Sequence, residues 1–331
     1  MATIYEIAHK AHVSVTTVSR VINDSNKVNK DTRERVEKVI KELSYSPNIF
    51  GKQLGKGTTN LILILLHGID NPFFSNIIKG IEITAYENKY NVLISETNGQ
   101  VERENQYLEL LKNHFVDGVI LLSYEQSLED LNNLAINYPI VEVVEYNEQS
   151  NTPYISIDYL KASREIMDYF VTNNHKKIAF VASGQNQRIS IIKKYQSYLD
   201  VLNENGLEVI TKSIEFNEFS IESAMKTTSK IINEHPDVTA FFCCSDLIAR
   251  GTITKLKELG KQVPEDIEVF GFDDLIYSEL STPKISTVSL DTFNLGVKSM
   301  ELLYNRINKI VDGEDHYFGP YQLKFKESTR K

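Results

Sequence analysis

The sequence predicts a small all-α head over residues 1–46, followed by an α/β body built from doubly wound parallel sheets. Helix-start signals crowd the first 46 residues, whereas short apolar runs alternate with longer amphipathic segments from Leu61 onward. The apolar runs are too many for one small sheet, so we expect a body of two lobes.

The first helix is predicted to begin directly after Thr3. Thr3 and Glu6 have capping-box spacing, in which the Thr3 side chain accepts from a free backbone N–H and Glu6 reaches back. An apolar stripe at helical spacing follows, formed by Ile4, Ile7, Ala8 and Ala11. This stripe must be buried against other elements.

Two more helices complete the head. Ser14 can cap a helix over Val15 to Ile22, and Asn29 can cap a third helix after the polar loop 23–26. The inward stripe of the third helix is Val36, Val39, Ile40 and Leu43. Two short helices on a tight turn with a packing helix form the helix-turn-helix layout, whose second helix enters the major groove of DNA.

The body alternates strands and helices. Strands are predicted at Leu61–His67, Val92–Glu96, Gly118–Ser123, Ile140–Glu145, Lys177–Ser183, Val238–Ser245, Ile267–Gly271 and Ile285–Leu290. Helices are predicted at Phe74–Asn88, Val101–Asn113, Tyr159–Thr172, Ile191–Asn205, Ile221–Asn233, Leu247–Leu259 and Thr292–Val311. This alternation favours parallel sheets covered by helices.

Composition agrees with a cytoplasmic protein. The 331 residues are 41% hydrophobic, which is enough for sizeable cores, and no apolar run or signal-peptide core indicates a membrane span or export. The two cysteines, Cys243 and Cys244, are adjacent in an apolar run and are expected to be buried strand residues. We expect no metal site and no cofactor.

Charge is distributed unevenly along the chain. Residues 1–60 hold ten Lys/Arg against six Asp/Glu, a balance of +4. Because the whole chain has a net charge of −9, residues 61–331 carry −13. A basic end facing phosphate and an acidic body repelled by it would orient the protein on double-stranded DNA. Taken alone, the basic end is equally well explained as a solvated helix face.

Several segments of the head and the body resemble the lac repressor (LacI/GalR) family of bacterial transcription regulators. The matching segments are residues 3–8, 13–14, 17–23, 32–33 and 45–48 in the head, and 70–74, 117–120, 271–274 and 327–329 in the body. One departure is His12, which stands in the turn where the family commonly has glycine. Histidine tolerates positive φ, so we expect the turn to be kept at slight strain.

The helix-turn-helix and the resemblance together nominate DNA contacts. Val15, Thr16 and Arg20 are expected to reach base edges, because they lie on the second helix. The resemblance places polar residues at phosphates. The full set is Thr3, Tyr5, Ser14, Val15, Thr16, Thr17, Ser19, Arg20, Asn23, Asn29, Asn48 and Leu54. For Ser14 and Asn29, helix capping alone is an equally good explanation.

Residues 47–60 are predicted to be a hinge. The resemblance implies a short helix that forms only on the operator, with Leu54 wedged into the minor groove. Gly51, Gly55 and Gly57 replace the usual helix formers, and each interior glycine costs about 1 kcal/mol. A plain flexible linker is the alternative.

By resemblance, the body consists of two periplasmic-binding-protein-like lobes, about 61–158 with 291–320 and 159–290 with 321–331. The crossovers are expected near Ile157–Leu160, Ser289–Thr292 and Tyr317–Leu323. Ligands of open α/β sheets bind at the carboxyl ends of strands. The candidate effector residues are Asn71, Phe73, Phe74, Asn98, Ser123, Arg188, Lys194, Ser245, Asp246 and Asp273.

Alternatives exist for several of these residues. Phe73 and Phe74 could pack a helix start into the core, and Asp246 and Asp273 could be helix caps. Lys194 stands where many sugar-responsive members have arginine, whose planar fork binds vicinal hydroxyls, although Arg188 could substitute. The identity of the effector is therefore open.

The sequence thus predicts a homodimeric DNA-binding regulator that represses a carbohydrate-use operon through a pseudo-palindromic operator. The sequence contains no nucleophile elbow, phosphate loop or paired metal-spaced histidines, so we expect no enzyme. The alternatives are a purine co-effector, a protein co-effector, and a sugar-binding module without DNA. Glu301 argues against the protein co-effector, because the resemblance places a basic residue on that helix in members that bind one.

Overall fold

The structure is a computed structural model that describes residues 2–22, 27–45, 58–183, 188–214, 220–310 and 314–330, without the side chains of residues 183 and 211–214. The chain divides into two compact units, Met1–Thr59 and Asn60–Lys331. The predicted contact residues Asn23, Asn48 and Leu54, and hinge residues 47–57, lie outside the described residues.

The helices of the first unit are α1 (Ile4–Lys10), α2 (Val15–Ile22) and α3 (Lys30–Glu42). Each contributes to a single small core because its apolar residues recur at helical spacing. The buried members of this core are Ile7, Ala8, Ala11, Val18, Val21, Val36 and Val39. The head is therefore the three-helix unit that the sequence predicts.

The second unit alternates strands and helices. Its strands are β1 (Leu61–Leu66), β2 (Asn91–Glu96), β3 (Gly118–Leu121), β4 (Ile140–Val143), β5 (Tyr154–Ser156), β6 (Ile178–Ser183), β7 (Ile210–Ile214), β8 (Ala240–Cys243), β9 (Glu268–Phe270), β10 (Thr287–Leu290), β11 (His316–Phe318) and β12 (Tyr321–Lys324). Its helices are α4 (Phe73–Glu87), α5 (Val101–Lys112), α6 (Leu128–Asn137), α7 (Tyr159–Thr172), α8 (Ile189–Glu204), α9 (Ile221–Glu234), α10 (Asp246–Glu258), α11 (Ile276–Leu280) and α12 (Thr292–Ile307).

Two parallel sheets organise the body. The first has the order β11-β5-β4-β3-β1-β2 and the second has the order β7-β6-β8-β9. The central strand β1 reads Leu-Ile-Leu-Ile-Leu-Leu and is buried on both faces, as expected of a parallel strand covered by helices. Cys243 and Cys244 are buried and unoxidised at the end of β8, in agreement with the prediction.

The chain passes between the two sheets at three places. After β5, residues 157–158 lead into α7, which packs with α8 beside the second sheet. Strand β10 leads into α12, which packs on α4 and on the first sheet, and β11 of the first sheet leads through residues 319–320 into β12. These passages coincide with the expected crossovers.

The predicted strand at Ile285–Leu290 differs from expectation. It forms only over Thr287–Leu290 and pairs antiparallel with β12 in a two-stranded ribbon outside both parallel sheets. Helices α6 and α11 and strands β5, β7, β11 and β12 were not predicted from the sequence. Helix α12 ends at Ile307 rather than Val311, because Asn308 caps it and Lys309 turns at φ +55°.

Helices α4 and α12 approach each other closely through two glycines. A Cβ on Gly80 would lie 2.2 Å from the Phe293 carbonyl oxygen, and a Cβ on Gly296 would lie 2.0 Å from the Ile77 carbonyl oxygen. Only glycine permits these backbone contacts. The first sheet is therefore covered by a helix pair drawn from opposite ends of the body.

Candidate functional site

The head is shaped by three side-chain caps. The Thr3 side chain accepts from the Glu6 backbone N–H at 3.3 Å, and Glu6 accepts from the Thr3 N–H at 2.7 Å, which confirms the capping box. Ser14 Oγ accepts from the Thr17 N–H at 3.1 Å, and Asn29 Oδ1 accepts from the Thr32 N–H at 2.9 Å. The capping roles predicted for Ser14 and Asn29 are thus observed.

The turn between α1 and α2 depends on His12. Its φ is +53°, the left-handed conformation that the sequence analysis expected at this position. Val18 and Val21 of α2 are buried against α1 and α3, which turns the opposite face of the helix outward. The turn and the core together fix which side chains α2 presents.

The outward face of α2 carries Thr16 and Arg20. These residues are four apart, so they lie on one side of the helix, and both are exposed. Tyr5 of α1 is 73% exposed. Of the other predicted contacts, Thr3 and Ser14 are exposed and Val15, Thr17 and Ser19 are half-buried. This arrangement leaves hydroxyl, guanidinium and phenol groups available on one small head.

A second candidate site lies where the carboxyl ends of the two parallel sheets meet. Glu145, which follows β4 of the first sheet, accepts from the Ser190 backbone N–H at 3.2 Å and from the Ser190 hydroxyl. Ser190 begins α8, which covers the second sheet. Nearby, Lys193 Nζ lies 2.8 Å from Glu148 Oε1. These two contacts join the lobes directly.

Lys194 lies one turn further along α8 and is buried. Its ammonium donates to the Cys244 carbonyl oxygen at 2.9 Å and lies 3.8 Å from the centre of the Phe272 ring. The Tyr159 ring centre is 5.1 Å away. A cation over aromatic faces with a carbonyl acceptor is well stabilised without water. This lysine is therefore held inside the protein framework.

The charge of this lysine acts on the carboxyl group of Asp273. Its backbone has φ +93°, and loss of surrounding water raises its pKa to about 6, with Lys194 lowering the pKa and Glu145 raising it. Asp273 retains partial contact with solvent. Glu145, which lies across the lobe boundary, is therefore near enough for its negative charge to raise the pKa of Asp273.

Ser245 and Asp246 support this loop rather than facing the space themselves. Ser245 caps α10 by accepting from the Ile248 N–H at 3.4 Å. Asp246 is fully buried and accepts from the Leu275 N–H at 2.6 Å, and burial raises its pKa well above the ordinary value. A Cβ at Gly271 would lie 2.4 Å from Asp246 Oδ1, so this position requires glycine.

Phe73 and Phe74 occupy the first turn of α4. Both are buried, 8% and 5% exposed, and their rings meet edge-on with centroids 5.5 Å apart. Asn71 Oδ1 accepts from the Phe73 N–H at 3.0 Å and stabilises the turn before the helix. The alternative that these rings pack a helix start accounts for their burial.

The remaining candidates surround the carboxyl ends of the strands. Asn98 has a φ of +52°. In the favoured orientation of its side-chain amide, the nitrogen donates to Glu96 Oε1 at 2.5 Å and the oxygen accepts from the Arg103 guanidinium at 2.5 Å. Ser123 follows β3, is 2% exposed, and its hydroxyl has no hydrogen-bond partner among the described residues. Arg188 is half-buried at the N-cap position of α8 without a side-chain cap.

Sequence reasoning missed Glu145, Ser190, Tyr159 and Phe272. Glu145 could have been found, since it is the last residue of a predicted strand, as Ser123 is of its own. Glu142, three residues earlier on β4, is fully buried and accepts from the Ser150 hydroxyl at 2.9 Å, and burial raises its pKa to about 8.

Within the ranges given above, the structure has no group of three or more His, Cys, Asp or Glu residues that could hold a metal ion. Among the helices that the structure describes, none is long and apolar enough to cross a membrane.

Comparison with known families accounts for both units. Residues 3–48 match the model described as bacterial regulatory proteins, lacI family. Residues 59–328 match the model described as periplasmic binding proteins and sugar binding domain of LacI family. The chain belongs to the LacI family.

Similar LacI-family proteins match along nearly the whole chain. The HTH-type transcriptional regulator RegA of Clostridium saccharobutylicum is 32% identical over 99% of this chain and 100% of RegA. The HTH-type transcriptional repressor CytR of Escherichia coli strain K12 is 31% identical over 99% of this chain and 96% of CytR. The crystal structure of the lac repressor dimer bound to operator and the anti-inducer ONPF has a TM-score of 0.83 and 27% identity, covering 99% of each chain.

The LacI-family assignment confirms the predicted fold class, a helix-turn-helix head with a periplasmic-binding-protein-like α/β body. It also makes the protein a DNA-binding transcriptional repressor of that family. Members of the LacI family bind operator DNA and small-molecule effectors and act as dimers. The matched relatives are regulators rather than enzymes.

Proposed function

We propose that this repressor binds a pseudo-palindromic operator as a homodimer and controls a carbohydrate-use operon. Its effector is an uncharged, hydroxyl-rich molecule that binds where the carboxyl ends of the two sheets meet and releases the operator. On the head, Arg20 and Thr16 with Val15 contact base edges. Thr3, Tyr5, Thr17 and Ser19 contact phosphates, and Ser14 and Asn29 do so in addition to capping their helices.

The observation that carries the effector assignment is the placement of Glu145 and Asp273 around one space. Both are carboxylates, they belong to different lobes, and the negative charge of Glu145 raises the pKa of Asp273. Carboxylate oxygens accept hydrogen bonds from hydroxyl groups, so a polyol satisfies both at once. A ligand that touches both lobes is also able to change their arrangement.

The same charges disfavour a phosphorylated effector. The ammonium of Lys194 is already engaged by the Cys244 carbonyl and the Phe272 ring. A phosphate placed beside Glu145 and Asp273 would meet two like charges, which repel it in a space of low dielectric constant. Sugar phosphates should therefore bind more weakly than their parent sugars.

A protein co-effector has less support. Glu301 on α12 pairs with Lys298 at 2.8 Å, and both side chains are about half exposed. This helix thus presents a Lys–Glu ion pair on its surface. By resemblance, family members with a protein partner have a basic residue at the position of Glu301. A purine co-effector remains the competing small molecule for the experiment below.

Operator release follows from the contacts between lobes. The Glu145–Ser190 and Glu148–Lys193 contacts hold one arrangement of the sheets. An effector whose hydroxyl groups donate to Glu145 and Asp273 competes with these contacts, and its differential affinity for the two arrangements shifts the equilibrium. A coupling of about 1–3 kcal/mol is sufficient to change operator occupancy strongly.

The test is a thermal-shift and calorimetric panel of D-ribose, cellobiose, glucose 6-phosphate and adenine. The panel member with the largest shift is then titrated against wild type, Asp273→Ala and Glu145→Gln, with operator affinity measured in parallel. We expect a neutral sugar to bind. Both substitutions should lower the affinity for this sugar by about tenfold or more, because each removes a hydrogen bond to a charged group.

The matched control is Asp200→Ala, which removes an exposed carboxylate from the same helix as Ser190 without touching the site. It should bind the sugar as wild type does. Normal binding and response in Asp273→Ala would contradict the proposed site. Binding of adenine or glucose 6-phosphate in preference to both sugars would contradict the proposed effector class.

A further inference from the structure

The loop that carries Asp273 has an unfavourable backbone. Asp273 and its neighbour Asp274 are consecutive residues with φ of +93° and +53°. Left-handed conformations of non-glycine residues cost free energy and persist only where the surroundings hold them in place. The contacts around the loop show what supplies this support.

Main-chain support comes from the crossover strand β10. The Asp273 N–H donates to the Val288 carbonyl oxygen at 3.0 Å, and the Asp274 N–H donates to Thr287 Oγ1 at 3.2 Å. Asp273 also forms a parallel bridge with Ser289. The loop therefore lies along one edge of β10, while β12 pairs with the other edge.

Side-chain support comes from the opposite edge of the ribbon. The Asp274 carboxylate accepts from Lys324 Nζ at 2.7 Å and from Lys326 Nζ at 2.9 Å, and from the Ser278 hydroxyl at 3.0 Å. Lys324 belongs to β12 and Lys326 follows it. The two lysines thus reach across β10 and tie the loop to the outer strand. Although burial acts to raise it, the hydrogen bonds from both lysines hold the pKa of Asp274 well below its usual range.

The tied strands are the connections between the lobes. Strand β10 leads into α12 on the first sheet, and β12 follows β11 of the first sheet. A two-stranded ribbon is marginally stable by itself in water. The contacts between the ribbon and the loop therefore decide whether a movement of the loop also moves the ribbon.

We propose that Lys324 and Lys326 are positioning residues that transmit the occupancy of Asp273 to the crossover ribbon. They do not touch the effector; they make the ribbon follow the loop. This proposal rests on the proposed function for one point, the contact between the effector and Asp273. Without the lysines, the effector still binds at Asp273 but no longer moves the lobes.

The first experiment needs no effector. Hydrogen exchange is compared between wild type and the double variant Lys324→Met, Lys326→Met. We expect faster exchange at Asp274 and Leu275, whose acceptors depend on the loop position, and unchanged exchange in β8. The Lys326 partner Glu279 keeps Lys284 at 2.9 Å, so it is not left unpaired. Unchanged exchange at Asp274 and Leu275 would overturn the proposal regardless of what the effector is.

The second experiment measures coupling. The panel member selected above, D-ribose or cellobiose, is titrated by calorimetry, and operator affinity is measured with and without it. In wild type we expect the operator affinities to differ by about 5–150-fold, the usual range of allosteric coupling. In the double variant we expect the sugar affinity to stay within about threefold of wild type while the operator ratio falls below about threefold.

Two controls separate positioning from general stability. Lys255→Met removes an ion pair of 2.8 Å with Glu258 in the same lobe, away from the loop, and should keep the wild-type ratio. The double variant Lys324→Arg, Lys326→Arg preserves the charges and should restore coupling. A Met variant that keeps the wild-type ratio, or that loses sugar binding altogether, would overturn the proposal. If neither sugar binds wild type, the proposed function fails while the exchange experiment still decides whether the lysines hold the loop.

Discussion

Asp273 and Asp274 are adjacent carboxylates whose neutralisation should change stability in opposite directions. The folded protein holds the pKa of Asp273 at about 6, above its ordinary value of 3.8, so the folded state binds its proton more tightly than the unfolded chain. Stability contributed by this group is therefore greatest at low pH and is lost as the pH rises through about 6. Asn is a neutral replacement of the same shape that tolerates positive φ.

The magnitude follows from the two pKa values. A change of tenfold in the dissociation constant corresponds to about 1.4 kcal/mol, so keeping Asp273 ionised at pH 7 costs the folded state up to about 3 kcal/mol. Because this side chain retains some contact with solvent, we expect a measured gain of about 1–3 kcal/mol for Asp273→Asn at pH 7. The gain should shrink towards zero near pH 4.

The assay is thermal unfolding followed by circular dichroism between pH 4 and pH 8, since the chain contains no tryptophan. Asp274→Asn is the matched control. Lys324 and Lys326 hold the pKa of Asp274 below its usual range, so its contribution is present at neutral pH and is lost as the pH falls. Asp274→Asn should therefore melt earlier at pH 7. A lower melting temperature for Asp273→Asn at pH 7, or a difference from wild type that does not vary with pH, would refute the reasoning.

The head, the hinge and the body give further predictions. Arg20→Ala should cost about 1–3 kcal/mol on the cognate operator and far less on random DNA, and equal losses in a binding assay would contradict a role in base recognition. Ser14→Ala should weaken cognate and random DNA by similar factors, since it loses a helix cap and the proposed phosphate contact; a loss confined to one DNA would argue otherwise. Replacing Gly51 and Gly55 with Ala should tighten operator binding and reduce the effector response, which a titration with and without the sugar measures. Tyr198→Phe should lower stability by about 1–3 kcal/mol, because the buried Tyr198 hydroxyl accepts from the Ile210 N–H at 2.8 Å, and an unchanged melting temperature would contradict this.

Local signals were sufficient for much of the secondary structure. Helix α2 begins after Ser14 and extends over Val15–Ile22 as predicted, because a cap and an apolar stripe both act within a few residues. Helix α7 likewise matches its predicted bounds, Tyr159–Thr172. The φ of His12 could be anticipated because few residue types tolerate that conformation.

Features that depend on distant partners could not be predicted in this way. Strands β5 and β11 have three residues each and exist because Tyr154 pairs with His316, which is remote in sequence. The Glu145–Ser190 contact joins residues 45 positions apart, and no local pattern predicts that these two residues meet. Asp246 was predicted as a ligand or a cap because both roles suit an aspartate after a strand, whereas its burial against Leu275 depends on how the second sheet closes. Most of the candidate effector site therefore had to come from the structure.

The close approach of Gly80 and Gly296 has a consequence for how the protein is made. The helix that seals the first sheet, α12, starts at Thr292, more than 130 residues after that sheet's fifth strand. At a synthesis rate of about 5–20 residues per second, the first lobe stays unsealed on the ribosome for on the order of ten seconds. During this interval the head and strands β1 to β5 of the first sheet have been translated, but α12 and the edge strand β11 follow only after strands β6 to β10.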